Sequence, residues 1–117
     1  MIKFKERGRT DKINVIMSDI RDMSFKDFED KLKSYGYLMA GIHYFLHPSG
    51  EIEAGNDEGV VADWSLPDND KCLYVLAIGK RISDAQRFAL DRLAASKALK
   101  WELLTDVSFG EGSLALQ

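Results

Sequence analysis

Two histidines flank a turn in the segment IHYFLHPSGEIEAG, residues 42–55, and they raise the question of a metal site. A strand rises about 3.3 Å per residue, so the Cα atoms of His43 and His47 lie about 13 Å apart if the segment is extended. Two ligands of one zinc ion each lie about 2 Å from the metal. The spacing therefore excludes the two histidines as joint ligands of one ion, unless the strand breaks between them.

Each potentially reactive residue also has a structural interpretation, which we favour. His43 is predicted to be a hydrogen-bonded histidine on the inner face of a sheet, because buried polar groups are normally satisfied. His47 lies at the turn and is predicted to be solvated. Cys72 is predicted to be a small buried hydrophobe at the start of a strand, since no adjacent histidine or aspartate would make it a nucleophile.

Two acids follow the turn at alternate positions, and a pair of carboxylates can hydrolyse glycosides. Glu51 and Glu53 share one strand face, with a backbone separation of about 7 Å that such a pair tolerates. Alternating acids on a hairpin are also typical of a solvated face, which is the interpretation we favour. The segment GEGS, residues 110–113, has no helix after it, so we interpret it as a loop rather than a phosphate site.

The hairpin that carries these residues is predicted from period-2 alternation on both sides of the turn. Pro48 presets its own φ, and Gly50 permits a positive φ. Alternation predicts two sets of side chains that point in opposite directions from the first strand, namely Ile42, Tyr44 and Leu46 against His43, Phe45 and His47.

Two helices are predicted from apolar residues at helical spacing. The first begins after Ser24, which can cap it, and ends near Gly36, which can adopt a left-handed conformation. The second begins after Ser83, which forms a capping box with Gln86. The apolar positions are Phe25, Phe28, Leu32 and Tyr35 in the first helix and Leu90, Leu93, Ala94 and Trp101 on one side of the second.

Short apolar runs supply the remaining strands. Residues 13–17 and 72–79 have the continuous apolar character of buried strands, and residues 101–109 can supply a last strand. The polar residues 56–71 are predicted to form a loop. The resulting order of strands and helices predicts an α/β fold in which helices flank a mixed central β-sheet.

Length, composition and charge exclude several classes of protein. The chain has 117 residues, one cysteine and a formal net charge of −3, so we expect a single domain, residues 1–117, without a disulfide framework or a multi-cysteine zinc cage. The acidic balance argues against direct nucleic-acid binding. We expect neither a signal peptide nor a membrane span, and the predicted location is the cytoplasm, that of the host cell if a phage encodes the chain.

Three segments resemble the type-2 N-acetylmuramoyl-L-alanine amidases, whose wider family includes inactive peptidoglycan-recognition proteins. They are IKFKERGRTDKI, YGYLMAGIHYFLHPSGEIEAGNDEGVVADW and LYVLAIGK, and they are most similar to the lysozymes of short-tailed phages. The family's hairpin motif stands here as Gly41-Ile42-His43-Tyr44, then Gly50, then Glu53-Ala54-Gly55-Asn56. The resemblance implies the amidase/peptidoglycan-recognition-like fold over most of the chain.

The resemblance also implies where a catalytic zinc ion would be held. These amidases use three protein ligands, typically His, His and Cys or Asp, and they leave a fourth position open for water and substrate. The first ligand position is occupied here by Ile16, with Met17 next to it. The second falls at Asp106, and the third falls near Gly112.

Other catalytic positions of the family differ as well. The hairpin tyrosine of the family is Ile42 here, and a loop histidine of the family corresponds to Trp64. Since the ligand positions supply at most one carboxylate, Asp106, we predict that the zinc site is degenerate, that no cofactor is bound and that the chain is not a working amidase.

The preferred functional hypothesis is a non-catalytic binding or regulatory module with a protein partner. The phage lysozymes that this chain resembles also bind and restrain the phage's RNA polymerase, which makes an RNA polymerase or another host or phage protein the predicted partner. The candidate contact residues are Lys3, Lys5, Arg7, Arg9, His43, Trp64 and Asn69.

Two alternatives from other classes stay open. The chain could bind peptidoglycan fragments without cleaving them, using Asp57, Asn69 and Asp70 of the polar loop. It could also be an active zinc amidase, an endolysin, with a rearranged metal site. The candidate ligands of that site are His43, Cys72 and Asp106.

Overall fold

The computed structural model describes residues 5–6, 10, 12–34, 36, 42–58, 60–61 and 72–104. The elements in chain order are β1 (Lys5–Glu6), β2 (Lys12–Ser18), α1 (Phe25–Ser34), β3 (Tyr44–Leu46), β4 (Ile52–Ala54), β5 (Val60–Val61), β6 (Cys72–Ile78), α2 (Asp84–Ser96) and β7 (Trp101–Leu103). Neither helix in these ranges has the length and apolar character that crossing a membrane requires.

A mixed sheet of five strands forms the centre of the described part, in the order β4-β3-β6-β2-β7. β6 lies in the middle and runs parallel to β3 and β2, and β2 runs parallel to β7. β4 is antiparallel to β3, and the two strands form the predicted hairpin. Every residue of β6 is buried, because a parallel strand covered on both faces has no solvent-facing positions. The predicted α/β fold is confirmed.

One helix covers each face of this sheet, and we call the two sides the α1 face and the α2 face. The buried residues of the α1 face are Ile16, Ile20, Phe25, Phe28, Leu32, Ile42, Phe45, Cys72, Tyr74, Leu76 and Ile78. Those of the α2 face are Ile13, Val15, Leu46, Leu73, Val75, Ala77, Leu90 and Ala94. Full burial of one such side chain stabilises the fold by about 1.5–3 kcal/mol, so these two layers are the main source of stability.

Both helices begin where the sequence predicts them. The Ser24 hydroxyl oxygen accepts a hydrogen bond from the backbone N–H of Asp27 at 3.1 Å, which caps α1. Ser83 and Gln86 form the predicted capping box of α2. α1 is followed by Gly36, whose φ of 100° is the left-handed conformation expected at a helix end.

The prediction for the face of Ile42 is wrong. Ile42 packs on the α1 face together with Phe45, whereas Tyr44 packs on the α2 face. Regular pairing of β3 begins only at Tyr44, and the chain bends at His43. The bend brings the His43 ring to the backbone of β6, so the alternation of a regular strand does not extend back to Ile42.

Other element boundaries are revised or lie outside the described residues. The predicted loop 56–71 contains β5, which pairs with β1, and residues 62–71 lie outside the described ranges, as does Tyr35. The helical spacing places Trp101 on α2, but α2 ends at Ser96, and Trp101 packs on the α2 face from β7. The last strand is observed at Trp101–Leu103, and residues 105–109 lie outside the described ranges.

Candidate functional site

The α1 face carries the two described positions at which the resemblance implies catalytic groups. Ile16 of β2 and Ile42, which precedes β3, are both fully buried in the same apolar cluster. Met17, the neighbour of Ile16, lies on the opposite α2 face and is half-buried. The side chains of Ile16 and Ile42 are therefore aliphatic groups packed in an apolar cluster. Neither isoleucine has an atom that can bind a metal or transfer a proton.

Polar groups flank Ile16 on the same face of β2. Asn14 is buried, and its amide nitrogen lies 3.5 Å from the hydroxyl oxygen of Tyr74 in the neighbouring strand β6. The amide oxygen of Asn14 and the hydroxyl oxygen of Ser18 are buried without a hydrogen-bond partner. A neutral amide and a hydroxyl are poor zinc ligands compared with imidazole or thiolate, so Asn14 and Ser18 are not equivalent to the histidine that the resemblance implies at position 16.

His43 has the structural role predicted for it. Its side chain is buried, and its Nδ1 atom accepts a hydrogen bond from the backbone N–H of Tyr74 at 3.0 Å. The His43 backbone N–H donates to the Tyr74 carbonyl at 2.9 Å. Because Nδ1 accepts, the proton of the neutral ring lies on Nε2. The imidazole thus joins the start of the hairpin to the central strand.

The other sequence-predicted site residues divide into three groups. Cys72 is buried at the start of β6, as predicted for a small hydrophobe. Within the ranges that the structure describes, no cluster of three or more His, Cys, Asp or Glu side chains could hold a metal ion. Lys5 lies in β1. The remaining candidates lie outside the described residues, and they are Lys3, Arg7, Arg9, Trp64, Asn69, Asp70, Asp106 and Gly112.

An open depression of about 630 Å³ lies at the tip of the hairpin, beside the start of α1. Its lining combines carboxylates, hydroxyls and one imidazole, from Asp22, Met23, Ser24, His47, Ser49, Glu51 and Glu53. We call this feature the hairpin depression. The connection between β2 and α1 forms one wall, and the turn and β4 form the other.

His47 is the centre of the hairpin depression, and the prediction that it is solvated is wrong. Its side chain is 14% exposed, and its two ring nitrogens contact two different carboxylates. Nδ1 lies 2.7 Å from Asp22 Oδ1, and Nε2 lies 3.0 Å from Glu53 Oε1. Glu53 Oε1 also accepts the backbone N–H of Phe25 at 2.9 Å. Glu53 therefore ties the hairpin to the first turn of α1, and it is not simply a solvated hairpin acid.

Asp22 and Glu53 favour the protonated form of His47. Partial burial alone would lower the pKa of the imidazole, but the hydrogen bonds to Asp22 and Glu53 outweigh burial and raise the pKa above its ordinary 6.5. Sequence reasoning missed Asp22, because this residue lies in an irregular segment with no periodic signal. Its distance of 25 positions from His47 gives no local clue to the contact.

A second polar cluster joins the hairpin to the end of α2. The Tyr44 hydroxyl donates to a Glu58 carboxylate oxygen, and the Lys97 ammonium lies 2.7 Å from the same oxygen. Burial would raise the pKa of Glu58, but the hydrogen bonds from Lys97 and Tyr44 outweigh it and lower that pKa. Desolvation and the bond to Glu58 raise the pKa of Tyr44. Glu58 is therefore held as a carboxylate and Tyr44 as a phenol, which is a structural link and not an activated nucleophile.

Comparison with known proteins shows what the chain and its fold are similar to. No protein-family model matches the chain. The chain is 27% identical over 117 residues to the endolysin of Escherichia phage T7, and the match covers 97% of this chain and 77% of the endolysin.

Two solved structures illustrate the likeness in fold. The N-acetylmuramoyl-L-alanine amidase LysC from Clostridium intestinale superimposes with a TM-score of 0.56 and 15% identity over 86% of this chain and 78% of its own. A mutant of Drosophila PGRP-LB in complex with tracheal cytotoxin gives a TM-score of 0.67 and 16% identity over 96% of this chain and 76% of its own. The fold is that of N-acetylmuramoyl-L-alanine amidases and peptidoglycan-recognition proteins. The resemblance to the type-2 amidase family, predicted from the sequence, is confirmed.

Proposed function

We propose that this protein is a non-catalytic binding module of the amidase fold, and that its ligand is a peptidoglycan fragment. The observation that carries the first half is the burial of Ile16 and Ile42 in one apolar cluster. A hydrolytic site of this family requires a metal ligand at the first of these positions and an open coordination site beside it. A packed isoleucine supplies neither, so the fold is used for binding.

The ligand class follows from the likeness to peptidoglycan-related proteins. PGRP-LB, which shares the fold, has been solved in complex with tracheal cytotoxin, and the T7 relative is an endolysin. The proposed contacts are Asn69, Asp70 and the aromatic Trp64, because amide and carboxylate groups suit peptide amides and an indole suits a sugar ring. The hairpin depression is a further polar surface on the same fold.

Calorimetric titration with a soluble muropeptide tests this proposal. We expect measurable binding, a Trp64→Ala variant that binds at least about tenfold more weakly, and an intact muropeptide after prolonged incubation with added zinc. Phe88→Ala is the matched control, because Phe88 is an exposed aromatic residue of α2.

Two results would contradict the proposal in different ways. Binding weaker than about 1 mM, which corresponds to about 4 kcal/mol, would remove the ligand. Stoichiometric zinc in the purified protein, together with cleavage between the lactyl group and L-alanine, would show an active amidase with a rearranged site.

A protein partner is the second candidate function, favoured by the basic start of the chain. Lys3, Lys5, Arg7 and Arg9 place four cations within the first ten residues, against a net charge of −3 for the chain as a whole. Such a patch suits an acidic protein surface and raises the rate of association. Titration of purified RNA polymerase, compared with a variant in which all four residues are changed to serine, tests this candidate. Equal binding of both proteins would count against it.

A further inference from the structure

The positions of the two carboxylates around His47 indicate which protonation state of its ring the structure requires. Each of its two ring nitrogens faces a carboxylate oxygen, and an ionised carboxylate only accepts hydrogen bonds. A neutral imidazole has one N–H and can therefore satisfy only one of the two. The arrangement requires an imidazolium that donates from both nitrogens.

A neutral His47 can keep a hydrogen bond to only one of the two carboxylates, and Asp22 and Glu53 differ in exposure and in their other contacts. Glu53 is 36% exposed and its Oε1 atom is also held by the Phe25 backbone N–H, whereas Asp22 is 58% exposed and lies in the irregular connection of residues 19–24. The more exposed carboxylate loses less when water replaces its partner. Asp22 is therefore the contact that opens first.

Among the described residues that line the hairpin depression, the charged side chains other than His47 are all carboxylates. Asp22 faces it from the β2–α1 connection and Glu53 from β4, and Glu51 lines the same depression from the turn. The Phe45 ring of β3 and the imidazole form a T-shaped pair with centroids 5.3 Å apart, and Gln86 of α2 donates to the His47 carbonyl at 3.3 Å. Neither lysine nor arginine lines the described depression, so protonation of His47 is the event that changes the balance of charge there.

We propose that His47 is a pH-sensitive clamp that joins residues 19–24 to the hairpin when both ring nitrogens are protonated, and that releases Asp22 while keeping Glu53 when the ring is neutral. Release separates the wall formed by the β2–α1 connection from the wall formed by the turn. The depression then opens, and its lining changes from three carboxylates and one imidazolium to three carboxylates and a neutral imidazole.

The pH range of the clamp follows from the raised pKa of His47. A basic group whose pKa is higher in the folded state stabilises the fold fully below its unfolded value, here about 6.5. This contribution is lost as the pH rises through the folded value. The clamp is thus closed at mildly acidic pH and open at alkaline pH.

NMR titration of the imidazole nitrogens from about pH 5 to about pH 9 tests the clamp directly. The chain has two histidines, so His43 serves as an internal comparison. We expect the His47 midpoint to lie above 6.5 and the backbone amide signals of residues 19–24 to shift with the same midpoint. A midpoint at or below 6.5, or amide signals that do not follow it, would overturn the proposal.

Three variants separate the clamp from general effects of mutation. Asp22→Asn keeps the exposed side chain but removes its charge, so the His47 midpoint should move to lower pH. His47→Gln has one donor end and one acceptor end, so residues 19–24 should show their high-pH signals at every pH. Ser49→Ala also alters the lining of the depression and should leave the midpoint unchanged. A midpoint that is the same in wild type and in Asp22→Asn would refute the role of Asp22.

Discussion

Replacing Ile16 by alanine is expected to lower the free energy of unfolding by about 2–5 kcal/mol, which is the range for truncating a buried isoleucine in a close-packed core. Ile16 is fully buried in β2 and packs in the cluster that includes Phe28, Phe45 and Leu76. The loss combines the transfer free energy of the removed carbons with the cavity that they leave. Urea denaturation followed by circular dichroism measures the change.

This substitution also tests the proposed function, because the sequence resemblance implies that position 16 is that of the first zinc ligand in the amidases. A residue on the floor of an open cleft would tolerate alanine with a loss below about 1 kcal/mol, since solvent already reaches it. Such a small loss would show that Ile16 is not core and would reopen the case for a catalytic site. Phe88→Ala is the matched control. Phe88 is 64% exposed, so its truncation should change stability by no more than about 0.5 kcal/mol.

Elements decided by neighbouring residues were predictable from the sequence. The Ser83–Gln86 capping box, the left-handed Gly36 after α1 and the turn with Gly50 each depend on a few consecutive residues, and all three are observed. The apolar run of β6 also indicated a central buried strand. At these places the conformation that the neighbouring residues favour is the conformation observed in the fold.

Contacts between distant segments were not predictable in this way. The β1–β5 pair joins two-residue strands far apart in the chain, and nothing in either segment marks its partner. The Asp22–His47 contact has the same character, and it reverses the predicted environment of His47. The face of Ile42 depended on a bend at His43, whose ring accepts a hydrogen bond from the backbone of β6. Each of these is a tertiary effect that overrides local periodicity.

The candidate site was predictable only through the family resemblance. Period and spacing alone excluded His43 and His47 as one metal pair, and the two residues indeed bind different partners in the structure. The resemblance added Ile16 and Ile42 as altered catalytic positions. Isoleucine has no reactive group that would mark it as functional in a sequence. The interpretation of Ile16 and Ile42 therefore depends on their burial in the fold.

Gln86 is the second residue whose replacement is expected to have a large effect, because its buried amide connects three parts of the fold. Its Nε2 atom donates to the Ile78 carbonyl at 2.9 Å and to the His47 carbonyl at 3.3 Å. Its Oε1 atom accepts the Ser83 backbone N–H at 3.0 Å. One side chain thus joins the start of α2, the end of β6 and the hairpin turn.

Gln86→Leu is expected to lower the free energy of unfolding by about 2–3 kcal/mol, as measured by thermal or urea unfolding. A buried polar group that loses its partner costs about 1–3 kcal/mol, and the substitution also removes the capping box. Ser83→Ala removes the cap to the Gln86 N–H and a long hydrogen bond of 3.5 Å to the Pro48 carbonyl, and it should lower the free energy of unfolding by about 1 kcal/mol. Gln86→Glu keeps the acceptor for Ser83 but turns the donor into a carboxylate facing carbonyl oxygens. That variant should therefore gain stability as the pH falls and the carboxyl group becomes able to donate again. Equal losses for the leucine and Ser83 variants would show that the cap alone matters and that the bonds to Ile78 and His47 contribute nothing.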